Sequence, residues 1–258
     1  MEKADFTENS IAYLTNSGLF DADYYLATNP DVAGAPIEPL QHFFHYGFRE
    51  GRRPNPYFDP LWYLDTYPEV REAQVQPLLH YAVFGDKEGR RPSLTFDAEW
   101  YRNKYHISPD VGALAHYLQN RQTGSFSPIP DFDAEYYSRE NPDVAAAGVD
   151  PFEHFISQGY RERRNPSAEF DVKFYVQRYL GGDTNQNPLL HYLAHKHEPG
   201  IVGRMPDDES TVWREVKRFS RAGPDFEQFR PLPASAAHQF KLLVYYLPQF
   251  HAIPENDA

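Results

Sequence analysis

The chain has 258 residues, 41% hydrophobic and 16% aromatic, with 19 Tyr, 19 Phe and 3 Trp, which is enough apolar mass for a packed core and too much for a disordered chain. A formal net charge of −12 argues against nucleic acid or an anionic membrane surface as partner, and the absence of cysteine excludes disulfides and thiolate metal sites. No basic segment followed by an apolar run opens the chain, and no stretch approaches the roughly 18 apolar residues of a membrane span, so cytoplasmic residence is the default expectation.

Residues 1–19 carry the pattern of one capping helix, with Asn9 or Ser10 as N-cap, Ile11, Leu14 and Leu19 spaced for one apolar face, and Gly18 as its stop. From Phe20 the chain repeats itself. A Phe-Asp pair stands at Phe20-Asp21, Phe58-Asp59, Phe96-Asp97, Phe132-Asp133 and Phe170-Asp171, dividing residues 20–203 into five units: 20–57, 58–95, 96–131, 132–169 and 170–203. A period of this length marks stacked supersecondary units, each too small to bury its own apolar face. The expected fold is all-α, an α-solenoid-like array of five short two-helix repeats.

Within each unit the Asp of the Phe-Asp pair is placed to cap a first helix. Two aromatic residues follow, and the second is always tyrosine: Tyr25, Tyr63, Tyr101, Tyr137 and Tyr175. A fixed Tyr implies that its ring fills a seam while its hydroxyl meets a buried polar group. Asn29-Pro30, Tyr67-Pro68 and Asn141-Pro142 end this helix, because proline disfavours helical geometry in the residue before it. Pro39, Pro77, Pro151 and Pro188 open a second helix at its first position, whereas the third unit lacks this proline and offers Ser108-Pro109 as an earlier start. That helix carries a histidine in every unit, at His42, His80, His116, His154 and His191, each followed by an aromatic residue. Gly47, Gly85 and Gly159, five residues after the histidine, are placed as helix-closing C′ glycines.

The histidines are expected to be structural hydrogen-bonding groups, since units spread along an axis cannot converge them on one metal; even His191, His195 and His197 lack a third ligand at a suitable spacing. No metal or cofactor is expected. After the glycine come arginine-rich turns containing Arg52 and Arg53, Arg90 and Arg91, and Arg163 and Arg164. They are candidate contacts for an anion or a glycan, against the plainer alternative that each arginine pairs with an acidic neighbour. No nucleophile with its base, phosphate loop or carboxylate pair is visible, so no catalytic residue is assigned within the array.

Residues 204–239 read as an amphipathic helix, from Asp207 through Val212, Trp213, Val216 and Phe219 to Gly223-Pro224, followed by a linker. Residues 240–258 begin with the β-rich run Phe240 to Tyr246.

The motif FDxxYYxxxNPDVAxAGxxPxxHFxxxGxxExRxP resembles a bacterial repeat found in front of polysaccharide-building glycosyltransferases and in some large secreted calcium-binding repeat proteins. The calcium-type nonapeptide is absent, and Gly181-Gly182-Asp183 is only an echo of it. Leu243 to Asp257, LVYYLPQFHAIPEND, resembles the opening of the WbsX-type glycosyltransferase domain, a relative of the endo-α-mannosidase-like (β/α)8 barrels. By that likeness Leu242 to Tyr246 would be the first barrel strand, and Gln249 and His251 would occupy the loop at its C-terminal end, where barrel enzymes place their chemistry.

The resemblances imply a noncatalytic scaffold or interaction region in front of a catalytic barrel that continues beyond this chain, serving synthesis of O-antigen, capsule or exopolysaccharide. The chain alone is then expected to be inactive. Its partners would be its own catalytic domain and other polysaccharide-assembly proteins, and its location would be cytoplasmic or peripheral at the inner membrane. The alternatives are a carbohydrate-binding module that holds the glycan acceptor and a repeat region of a secreted protein.

Overall fold

The computed structural model describes residues 2–205. They form a helical array, and among these residues no β-strand is present beyond the isolated bridges Ser93–Phe96 and Ser167–Phe170. The amphipathic helix from Asp207, the linker, the Phe240–Tyr246 run, Gln249 and His251 lie outside the described residues.

Helix α1 spans Glu2–Asn16, so Asn9 and Ser10 lie inside it and do not cap it. Gly18, with φ of 70°, turns the chain into the first unit. There α2 (Ala22–Thr28) is followed at once by a short α3 (Pro30–Ala33) and then by α4 (Pro39–His42). The second unit repeats this with α5 (Pro60–Thr66), α6 (Pro68–Glu72) and α7 (Pro77–His80). The third holds α8 (Ala98–Tyr105) and α9 (Ala113–Asn120). The fourth holds α10 (Ala134–Glu140), α11 (Pro142–Ala147) and α12 (Pro151–His154), and the fifth α13 (Val172–Tyr179) and α14 (Pro188–His195).

Three of the five units therefore contain a third, short helix that a two-helix reading omits. Pro30, Pro68 and Pro142 do end the preceding helix, but each also serves as first residue of the next one, where its missing N–H costs nothing. The third unit departs from expectation as well: α9 starts at Ala113, not near Pro109. Residues Ser108 to Val111 instead form a turn whose Ser108 and Val111 carbonyls accept from Arg102, while the carboxylate of Asp86 caps the Ala113 N–H at 3.0 Å.

All five Phe-Asp aspartates cap their helices: Asp21, Asp59, Asp97, Asp133 and Asp171 each accept a backbone N–H from the first turn. The backbone N–H of the same aspartate closes the unit. Asp21 donates to the Pro54 carbonyl, Asp59 to Pro92, Asp97 to Pro128, Asp133 to Pro166 and Asp171 to Gly203, all at 2.9–3.1 Å. Each repeat is thus a loop of chain tied near its two ends.

The core is built from clusters of aromatic rings, one in each unit. Tyr25, Tyr63, Tyr101, Tyr137 and Tyr175 are fully buried, as are Phe58, Phe96, Phe132 and Phe170; Phe20, in the first unit, is only partly covered. The units also touch beyond their sequence neighbours. Tyr57, closing the first unit, packs edge-on against Tyr117 of the third and near Phe152 of the fourth, and the Tyr13 hydroxyl of α1 donates to the Ala82 carbonyl of the second. The array is wound tightly enough for its first, third and fourth units to meet. Among the described residues no helix is long and apolar enough to cross a membrane.

Candidate functional site

The strongest recurring constellation joins the invariant tyrosine to the invariant histidine. The tyrosine hydroxyl lies 2.8–3.0 Å from Nδ1 of the histidine in every unit: Tyr25 with His42, Tyr63 with His80, Tyr101 with His116, Tyr137 with His154 and Tyr175 with His191. Burial holds the imidazoles of His80, His154 and His191 below the ordinary histidine range, which favours the neutral ring as acceptor of the phenolic proton. Burial likewise pushes the Tyr25 phenol up to about 12. A phenol and a neutral imidazole locked together in this way form a strut between the first and last helices of the unit, with neither group poised as an acid or base.

The glycines complete this strut for a reason other than helix closure. Gly47, Gly85 and Gly159 are not among the glycines with positive φ, so they are not C′ caps. Each ends a π-helical turn, Phe43–Gly47, Tyr81–Gly85 and Phe155–Gly159, and a Cβ on any of them would lie 2.0–2.3 Å from the tyrosine hydroxyl. Glycine is present because the phenol occupies the place of its side chain. The third and fifth units, with Arg121 and Lys196 at this position, keep a regular α-helix through the histidine. The left-handed positions lie further on, at Gly51 and Gly89, and in the fourth unit Arg163 takes that conformation with φ of 61°.

The arginine turns are internally paired. Arg52 binds Asp31 at 2.8 Å and Glu50 at 2.6 Å, and Arg164 binds Asp143 at 2.8 Å and Glu162 at 2.6 Å. Arg90 joins Glu69 and Glu88 in the same way while its guanidinium lies over the Tyr67 ring. These acids belong to the same unit as their arginine. Arg53 bonds Asp59, and Arg91 donates to the carbonyls of Leu94 and Phe96. Arg163, exposed, makes no side-chain hydrogen bond or ion pair within the described residues. Two carboxylates around one guanidinium leave little attraction for a further anion at Arg52, Arg90 or Arg164.

At the C-terminal histidines, the rings of His191 and His195 lie 4.3 Å apart between centroids and tilted by 30°, and His195 Nδ1 meets Glu198 at 2.7 Å. No group of three potential ligands converges on a metal-sized space among the described residues.

Two features were not singled out by the repeat pattern. The first is a buried carboxylate, Asp150, where three units meet. It caps α12 through the N–H groups of Phe152 and Glu153, accepts the Tyr57 hydroxyl, and lies 3.4 Å from the Tyr117 hydroxyl and 3.9 Å from Arg121. Arg121 reaches on to Asp21 of the first unit at 3.2 Å. Burial outweighs the opposing pull of Tyr57 and Arg121 and raises the Asp150 carboxyl to about 6. In sequence Asp150 is only one of several polar residues preceding a helix-opening proline, so its role is invisible there.

The second is a cleft of about 240 Å3 where the start of the second unit faces the fourth and fifth. Trp62, Leu94, Ile156 and Leu190 line it with partly exposed apolar surface, and Arg53, Asp59 and Glu153 line it with charge. Of these, Arg53 alone was marked by the sequence as a candidate contact. No family model, curated protein or solved structure matches the chain.

Proposed function

We propose that this chain is a noncatalytic helical-repeat scaffold belonging to a bacterial glycosyltransferase of surface-polysaccharide synthesis. The glycosyltransferase class rests on the likeness of Leu243 to Asp257 to a barrel opening. The scaffold role is supported chiefly by one observation: the tyrosine and histidine present in every unit bond each other, at 2.8–3.0 Å, and so hold the unit together. The buried carboxylates Asp86 and Asp150 are likewise engaged by helix N–H groups, phenols and arginines.

The test is sugar transfer from nucleotide sugars to a lipid-linked acceptor, comparing this chain with one extended through the whole expected barrel. Transfer by the longer chain alone supports the scaffold. Transfer by these 258 residues overturns it. A second reading, a carbohydrate-binding module, is favoured by the cleft beside Trp62.

A further inference from the structure

The cleft combines surfaces that the rest of the array keeps apart. Trp62 comes from α5, Leu94 from the segment leading into the third unit, Ile156 from the π-turn after α12, and Leu190 from α14; all four are half-buried and leave apolar surface facing the cavity. Its polar groups are of both kinds. Asp59 caps α5 with one oxygen and holds an Arg53 nitrogen at 2.5 Å with the other, which fixes a guanidinium whose remaining N–H donors are uncommitted. Glu153, exposed at the start of α12, makes no side-chain hydrogen bond or ion pair within the described residues and is a free acceptor.

A ligand for this space must present an apolar face to the indole and aliphatic groups, and hydroxyls that both donate and accept toward Glu153 and Arg53. A pyranose ring does so, with its C–H groups on one face and hydroxyls around its edge. Two carboxylates against one guanidinium disfavour an acidic sugar, and a hydroxyl satisfies Glu153 as donor without bringing a charge. Leu94, Ile156 and Leu190 beside the indole offer further apolar surface, which suits a methyl substituent.

We propose that this cleft binds one neutral, methyl-bearing pyranose of a glycan chain, of the 6-deoxyhexose or N-acetylhexosamine class. The identity of that glycan as a nascent surface polysaccharide rests on the functional reading above; the cleft's preference does not.

The experiment is saturation-transfer NMR on the full chain with the methyl glycosides of rhamnose and N-acetylglucosamine, and with glucuronic acid as the anionic comparison. At least one of the two neutral sugars should receive transfer, strongest at its methyl and ring C–H protons, and glucuronic acid should receive little. Glu153→Gln removes a charged acceptor and should weaken binding about tenfold. Ile156→Trp should fill the cleft and abolish binding, with thermal melting confirming that both variants stay folded. Glu153 is exposed, so its variant keeps the test valid even if Ile156→Trp does not fold.

Absence of transfer to both neutral sugars, equal transfer to glucuronic acid, or binding indifferent to Glu153→Gln overturns the proposal. If these sugars fail to bind while the extended chain still transfers sugar, the cleft is refuted and the scaffold stands. Binding without any transfer by the extended chain keeps the cleft and refutes the glycosyltransferase assignment.

Discussion

Replacing Gly159 with alanine tests why glycine closes the π-turns. The new Cβ would sit 2.0 Å from the Tyr137 hydroxyl, a separation that requires something to move. The ring has little room: Tyr137 is fully buried, packed at centroid distances of 5.4 Å from Phe132 and 5.8 Å from Phe155, and bonded to His154. Overpacking of this kind costs about 1–3 kcal/mol, and a broken phenol–imidazole bond adds about 1 kcal/mol. Alanine recovers about 0.5–1 kcal/mol of helical preference, so Gly159→Ala should destabilise by roughly 2–3 kcal/mol. Tyr137→Phe alone loses the hydrogen bond, about 1 kcal/mol. In the double variant the nearest ring atom stands 3.3 Å from the new methyl, so most of the clash is gone. The double variant should therefore be close in stability to Tyr137→Phe, a coupling of about 2 kcal/mol. Urea unfolding followed by circular dichroism measures the cycle. Additive losses, with coupling below about 0.5 kcal/mol, would refute the account and return Gly159 to a role in backbone conformation.

Asp150 supplies a prediction in pH. Its folded value lies above its unfolded one, so its contribution to stability is complete below about pH 4 and is lost as pH rises through about 6. A rise from 3.8 to about 6 corresponds to about 3 kcal/mol in full, of which about 2 kcal/mol should appear as increased stability of the natural chain relative to Asp150→Asn from pH 7 to pH 4 and the rest below it. A difference that does not vary with pH would mean the carboxyl titrates normally. His80, His154 and His191 act in the opposite sense: with folded values depressed, their contribution is present above the ordinary histidine range and is lost on acidification, which is why the comparison with Asp150→Asn is needed. Phe132→Ala should cost about 3–5 kcal/mol, since the ring is buried among Tyr137, Phe152 and Phe155; a loss below about 1 kcal/mol in denaturant titration would contradict that packing. Arg164→Met should cost about 1–2 kcal/mol: the ion pairs with the largely exposed Asp143 and Glu162 contribute little and fade at high salt, while the lost bond to the buried Asn141 side chain leaves a part that salt does not remove, as denaturant titration at two salt concentrations would show.

What the chain determines by itself is the unit. The recurrence of Phe-Asp, of the second aromatic tyrosine and of the histidine marks the helices, the caps and the buried ring cluster of each unit, because these depend on local preferences and on side chains within one period. The Tyr–His partnership was legible in outline: each residue called for a polar partner, and both recur in every unit. The glycines misled for a physical reason, since a missing side chain serves equally for a left-handed backbone and for the close approach of a distant atom, and only the position of the Tyr137 hydroxyl against Gly159 separates the two. The short helices begun by Pro30, Pro68 and Pro142 were hidden because proline stops one helix and starts another with the same ring.

The winding of the array was decided by tertiary structure. It brings Tyr57, Tyr117 and Asp150 together across 93 residues and sets Trp62 opposite Ile156 and Leu190. A periodic pattern describes what each unit offers its neighbour. Which units meet around a turn of the superhelix depends on small angles between successive units, and these follow from the packing of whole faces, a quantity that no single position in the repeat encodes.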